Sequence, residues 1–234
     1  MDLKDKVILI TGGNSGLGKA TAIACIEKGA KVIITGRDHE KTETVAKEIG
    51  AVPFKCDVTK DEEIDALYKY IKTEIGELDV LVNNAGIGLR NELVDLTREE
   101  LRKVYEVNVF GAAMVAQGAA KIFVDQNYGD IINIASTASL KGYPTGSIYS
   151  SSKFALRGMT QAWQGELRKN NIRVIQVNPS EVPTAFGDEE NREERPLESN
   201  KLTPSDIAET IINTLQMDRR AYIPEVTVHA TNPF

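Results

Sequence analysis

Short runs rich in valine and isoleucine alternate along the chain with longer stretches of helical period. The runs fall at 7–11 (VILIT), 31–35, 52–56, 79–82, 130–135 and 173–177, with a weaker one at 221–223 that ends against Pro224. Runs apolar on both faces are what the strands of a sheet covered on two sides look like. The stretches between them carry helix-start signals. Thr59 with Glu62, and Thr97 with Glu100, fit the capping box, in which a hydroxyl and a later carboxylate satisfy free backbone N–H groups. Thr203 followed by Pro204 puts proline at a first helical position, where its missing N–H costs nothing. Alternation repeated this often predicts an α/β fold: a doubly wound, Rossmann-type sheet of about seven parallel strands with helices on both faces. The whole chain, 1–234, reads as a single domain without linker or repeat. The one compositional break is polar 187–200 (GDEENREERPLESN), which predicts a mobile loop spanning about 184–202.

Composition narrows the classes of function. With 41% hydrophobic and 26% charged residues the chain is ordinary globular material, and its net charge of −6 argues against a nucleic-acid surface. No stretch approaches the roughly 18–20 apolar residues that cross a bilayer. The opening MDLKDKVILITGG lacks the long apolar region and cleavage site of a signal peptide. Cys25 and Cys56 lie in apolar stretches without metal-ligand spacing, and His39 and His229 stand apart from them, so no metal site is expected. These features predict a reduced, cytoplasmic protein with neither nucleic-acid nor membrane partners.

Candidate chemistry begins where the first strand runs into TGGNSGLG at 11–18 and then into a helix. Gly12, Gly16 and Gly18 allow a tight turn, close backbone approach to a pyrophosphate and tight helix–strand packing. The helix N-terminus beyond offers unpaired N–H groups and a partial positive charge to phosphates. Further on, Tyr149 and Lys153 stand four residues apart, one turn apart on a shared helix face. That spacing alone also occurs in many helices without function.

The motifs TGGNSGLG, CDV at 56–58, NNAG at 83–86, VN at 107–108, Ser136, YSSSK at 149–153 and NPSEVPT at 178–184 run in this order. Over nearly its whole length the chain resembles a short-chain dehydrogenase/reductase of the short, single-domain type. The resemblance implies that Gly12, Asn14, Ser15, Gly16, Leu17 and Gly18 hold the cofactor's phosphates. It places Asp57 at the adenine amino group, Val58 against the ring, and Asn84, Ala85 and Gly86 over the adenosine ribose. Pro179, Val182 and Thr184 fall at the nicotinamide, while Asn83 reads as structural. Ser180 departs from the family's glycine at that turn. NAD-preferring relatives carry an acid where Gly36 stands. Here Arg37 follows instead, and a guanidinium can clamp the 2′-phosphate of NADP. NADP(H) is therefore expected, with NAD(H) left possible by Asp38, which could serve the ribose. Ser15 occupies a place where some NADP-dependent relatives have a second basic residue, so the expectation rests on one cation.

Hydride transfer to a carbonyl needs a proton donor near the oxygen as negative charge builds. A free phenol has a pKa of about 10, and bringing it toward 7 takes about 4 kcal/mol. A nearby cation favours phenolate, which is the part expected of Lys153 toward Tyr149. By resemblance Lys153 and Tyr149 also contact the cofactor. Ser136 ends an apolar strand at the carboxyl edge and would hydrogen-bond the substrate oxygen. Asn108 reads either as part of a water-linked proton relay behind Lys153 or as a capping residue that bends its helix. The serines between Tyr149 and Lys153 read as helix filler.

The resulting expectation is an NADP(H)-dependent enzyme interconverting a carbonyl and a secondary alcohol, with a 3-oxoacyl-thioester reductase as a closer guess. Residues 188–198, with six acids and two arginines, disfavour an acidic carrier protein as partner. The alternative is a non-catalytic NADP-sensing regulator on the same fold. Only 85 residues follow Tyr149, too few for the larger substrate domain of the extended relatives. Apolar faces around 104–122 and 154–167, with the family resemblance, imply a homodimer or homotetramer.

Overall fold

A computed structural model describes residues 2–187, 196 and 198–232. Seven strands form one sheet in the order β3-β2-β1-β4-β5-β6-β7, and every pairing is parallel. They are β1 Val7–Thr11, β2 Lys31–Gly36, β3 Val52–Lys55, β4 Val80–Asn83, β5 Gly129–Ile134, β6 Ile172–Pro179 and β7 Glu225–Val228. One face is covered by α1 Gly16–Glu27, α2 His39–Ile49 and α7 Pro204–Gln216. The other is covered by α3 Asp61–Tyr70, α4 Arg98–Tyr105, α5 Ala112–Gln126 and α6 Ser147–Leu167. Strand β1 shows why the runs are apolar throughout: Ile8 and Ile10 enter the first core, while Val7 and Leu9 enter the second.

Local signals decided most boundaries. Thr97 accepts from the Glu100 N–H, and Glu100 returns a bond to the Thr97 N–H, completing the expected box. Thr203 and Asp206 do the same at α7, with Pro204 at the first position. The box expected at Thr59 does not form. Its hydroxyl turns back to Asp57, Glu63 takes the Asp57 N–H, and α3 starts one residue later, after Lys60. The seventh strand lies at 225–228 rather than 221–223. Proline has no N–H for a ladder, so pairing starts beyond Pro224, whose carbonyl accepts from the Gln176 N–H.

Helices α4 and α5 form one continuous helix, Arg98–Gln126, through a π-turn at Glu106–Gly111. By length and composition this helix could cross a bilayer, which the sequence reading does not anticipate; half of its most apolar window is buried in this molecule. Gly111 lets it press on the sheet layer, since a Cβ there would lie 2.5 Å from the Val58 carbonyl oxygen. The charged stretch expected to be a mobile loop falls mostly outside the described residues.

The amino edge of the sheet is tied by buried charge. Asp130, at the start of β5, is fully buried and takes both Arg173 (2.6 and 2.9 Å) and Arg219 (2.9 Å). Asp79 takes Lys6 at 2.7 Å and the Val7 N–H at 2.9 Å. Removing one member of a buried, hydrogen-bonded ion network strands the others. Asp130→Asn should therefore cost about 3–5 kcal/mol in urea unfolding. A loss within experimental error would show that the network is not a structural tie.

Candidate active site

The opposite, carboxyl edge carries a cleft of about 1390 Å³ lined by the glycine turn and by Ser136, Tyr149 and Lys153. It opens where β1 and β4 lie side by side, the point at which the strand order reverses and open α/β sheets take ligands. A second hollow of about 830 Å³ between α3 and α5 is lined by none of these residues.

The turn after β1 is shaped by contact rather than by flexibility. Gly12 (φ 62°) and Gly16 (φ 49°) adopt left-handed backbone. A Cβ at Gly18 would run into the Gly12 carbonyl, and one at Gly13 would lie 2.6 Å from Ile34. Gly13 is a close-approach position that the motif spacing did not reveal. Ser15, the N-cap of α1, makes no side-chain cap bond, so the first N–H groups of α1 face the cleft uncapped. The buried Thr11 hydroxyl accepts from both the Asn84 and Ala85 N–H groups at 3.0 Å. The Asn84 amide in turn donates to the carbonyls of Thr11 (2.9 Å) and Gly12 (3.2 Å). Asn84 thus braces the turn, with Ala85 and Gly86 continuing along the cleft wall. Asn83, as expected, is structural, donating to the Ala112 carbonyl at 2.8 Å.

At the far end, a Cβ at Gly36 would strike the Asn14 amide and lie 2.5 Å from the Thr42 hydroxyl. Those two side chains are themselves bonded at 2.9 Å. An acid at position 36 would have to displace this pair. Asp38 is occupied as the N-cap of α2, accepting the Lys41 N–H at 3.0 Å. Arg37 lines the cleft, and so does Lys41, a second cation in the first turn of α2 that sequence reasoning missed. Asp57 also lines the cleft, with one oxygen held by Thr59, and Val58 is buried beside it. Leu17 packs on the first core and closes the floor.

Ser136, Tyr149 and Lys153 converge on the middle of the cleft. Ser136 caps a short 3-10 turn, accepting from the Ala138 N–H at 3.1 Å. Lys153 is 3% exposed and donates to the Ile134 carbonyl at 2.9 Å. Its ammonium lies 5.8 Å from the centre of the Tyr149 ring. Burial lowers the Lys153 pKa to about 8. Burial also raises the Tyr149 hydroxyl well above its ordinary value; Ser136 and Arg90 act against that rise, and Tyr143 adds to it. The cation expected to tune the phenol is thus engaged by a backbone carbonyl, and Arg90 is the positive charge that counters the rise.

Asn108 sits in the π-turn and acts as a brace. It accepts from the Ile87 N–H and donates to the Ile87 carbonyl, both at 2.9 Å, and donates to Ser152 at 3.1 Å. Ser152 donates in turn to the Tyr149 carbonyl at 2.7 Å. Ser152 is therefore no filler: it links the brace to the helix that carries Tyr149. A Cβ at Gly86 would lie 3.3 Å from Asn108 and 3.6 Å from Lys153, so glycine keeps that wall thin.

Pro179, Val182 and Thr184 line the remaining wall. Thr184 faces Gly16 across the cleft, 3.6 Å from where a Cβ would stand, and accepts from the Phe186 N–H at 3.3 Å. Ser180 replaces a glycine without a left-handed backbone. Phe186, unmarked in the sequence, meets Tyr149 edge-on with ring centres 5.6 Å apart.

A family model described as short chain dehydrogenase matches residues 6–195. An uncharacterised oxidoreductase of Staphylococcus aureus strain USA300 is 35% identical over 229 residues, covering 97% of each chain. An alcohol dehydrogenase from the archaeon Thermococcus sibiricus, solved with 5-hydroxy-NADP, superposes with a TM-score of 0.88 at 27% identity, covering 97% of each chain. A 3-ketoacyl-(acyl-carrier-protein) reductase from Brucella melitensis, solved with NADH, gives 0.87 at 29% identity over 99% of this chain and 100% of that one.

Lys153 makes stability depend on pH. Its folded pKa, about 8, lies below the free value of 10.5, so below 8 the buried ammonium opposes folding in full. That cost is relieved as pH rises from the folded value toward the free one. Lys153→Met should be more stable than wild type near neutrality, and the gap should shrink by roughly 2 kcal/mol between about pH 7 and about pH 9.5. Urea unfolding of both proteins at the two pH values checks this; a constant gap would contradict it.

Proposed function

The chain belongs to the short-chain dehydrogenase family, and from that premise we propose that it interconverts a carbonyl and a secondary alcohol with NADP(H). The observation that carries the proposal is the convergence of Ser136, Tyr149 and Lys153 on the cleft beside the glycine turn.

The residues present fit the dinucleotide. Left-handed Gly12 and Gly16 and the uncapped start of α1 suit a pyrophosphate. Arg37 and Lys41 line the end where a 2′-phosphate would stand, and Asn14 with Thr42 closes the place an acid would need. Asp57 and Val58 would hold the adenine, and Thr184, Val182 and Pro179 the nicotinamide. The likeness to enzymes solved with 5-hydroxy-NADP and with NADH supports the same cofactor class, NADP(H) being preferred and NAD(H) possible. When bound, the reduced nicotinamide supplies the hydride.

The chain's own groups handle the proton. Tyr149 donates its hydroxyl proton to the carbonyl oxygen as charge develops there, and recovers it in the reverse direction. Ser136 donates a hydrogen bond to the same oxygen, worth most in a site from which water is excluded. Lys153 provides a buried donor for ribose hydroxyls and positive charge beside the phenol. Asn108 holds the wall at Ile87 and, through Ser152, the start of α6; a water-linked proton path would run behind Lys153 at this brace.

A 3-oxoacyl thioester is one substrate that the likeness to the Brucella reductase supports. No observation favours a non-catalytic sensing role. Phe110 and Phe154, 52% and 43% exposed on the long helices, support a homodimer or homotetramer. The unpaired, buried thiols Cys25 and Cys56 suit a reducing, cytoplasmic compartment.

Two outcomes test this reading. With a panel of ketones and NADPH, Tyr149→Phe should lose at least about a thousandfold in kcat while keeping NADPH affinity; wild-type turnover would remove Tyr149 from the chemistry. Arg37→Ala combined with Lys41→Ala should raise KM for NADPH about 10- to 100-fold and leave KM for NADH nearly unchanged. An equal effect on both cofactors would refute the assignment.

A further inference from the structure

The proposed reaction leaves two cations that line the cleft, Arg90 and Lys141, without a part in binding substrate. Arg90 lies in the loop 84–92 after β4, exposed at the surface, and lines the cleft that holds Tyr149. Its guanidinium carbon stands 5.4 Å from the centre of the Tyr143 ring. The neighbouring Asn91 N–H is bonded to the Thr145 carbonyl at 2.9 Å, so the two loops are pinned together over the site. Thr145 adopts φ 64°, a left-handed conformation that a β-branched residue takes only under constraint. Strain of this kind tends to collect where geometry serves function. Lys141, on the same loop as Tyr143, lines the same mouth. Neither cation has a carboxylate partner among the described residues. Glu181, the acid on that wall, is bonded to Lys201 at 3.5 Å. A protein of net charge −6 thus holds two cations on the loops that follow β4 and β5, whereas Arg37 and Lys41 follow β2 on the other side of β1.

We infer that the substrate carries an anionic group, a carboxylate on a small oxo or hydroxy compound, which Arg90 clamps while Tyr149 faces the reacting oxygen, with Lys141 adding field at the mouth. Arginine suits this task because its planar fork meets a carboxylate with two parallel bonds. Tyr143 holds the guanidinium by its ring face, which fixes the fork without consuming its N–H groups. The inference deepens the reductase proposal and rests on it. It names the chemical class that the Ser136–Tyr149–Lys153 set alone does not select.

Acetoacetate and methyl acetoacetate test it, because they share a reacting carbonyl and differ in the charge. Wild-type enzyme with NADPH should favour the acid over the ester by about 10-fold or more in kcat/KM. Arg90→Met should raise KM for the acid about 10- to 100-fold and leave KM for the ester within about threefold, while any change in kcat made through the Tyr149 phenol should be the same for both, so that the preference for the acid is lost. The same pair is titrated calorimetrically into the protein saturated with NADP+, where binding needs no turnover. Tighter binding of acetoacetate, lost in Arg90→Met and weakened by salt, supports the anionic site even if turnover is absent. Absent turnover would fall on the reductase proposal instead. Equal binding of acid and ester, or no effect of Arg90→Met, overturns the inference.

Discussion

The site depends on how closely two backbone segments can approach at the top of β1 and β4. The Thr11 hydroxyl takes two N–H groups from the segment after β4, and the Asn84 amide returns two bonds to the turn. Glycine at 18 is required because its Cβ would collide with the Gly12 carbonyl. This clamp costs two left-handed residues and leaves the start of α1 uncapped toward the cleft. The wall that faces Lys153 is registered to it: Gly86 and Ile87 leave the clamp, and Asn108 receives Ile87.

From Asn108 the constraint passes through Ser152 to the helix carrying Tyr149 and Lys153. Asn108 lies in the π-turn, where its buried amide meets the segment that leaves the clamp. Both reacting groups end up desolvated, and burial moves them in opposite directions: the phenol holds its proton more firmly and the ammonium less. Burial therefore favours a neutral tyrosine, a state suited to donating a proton to a carbonyl.

Much of this was legible in the sequence. Strands were readable because a doubly covered parallel sheet leaves no polar face, and the Thr97 and Thr203 helix starts because their caps are local. The seventh strand follows Pro224 instead of ending at it, because tertiary pairing with β6, which no local pattern encodes, makes that proline the lead-in to the strand. Thr59 offered the right letters for a cap but was claimed by Asp57 two residues back. In the site, Ser136, Tyr149 and Lys153 were found through motif order. Lys41, Arg90, Ser152 and Phe186 were not, because their roles come from elements that meet only in three dimensions. Arg90 reaches Tyr143, 53 residues further along the chain, and no local pattern encodes that. Asp38 reads as a possible ribose ligand from its position; the structure adds that one of its oxygens caps α2, a role visible only once α2 starts.

The central claim is that Tyr149 is the proton donor and that its ionisation is set by burial against the charges gathered in this cleft. The most direct measurement is the titration of the Tyr149 phenolate by near-ultraviolet absorbance, with Tyr149→Phe as the blank, in the absence and presence of saturating NADP+. Without NADP+ the group should titrate above the free value of about 10, and with it the apparent pKa should fall by at least about one unit. A phenol that titrates at the free value in both conditions would contradict the account.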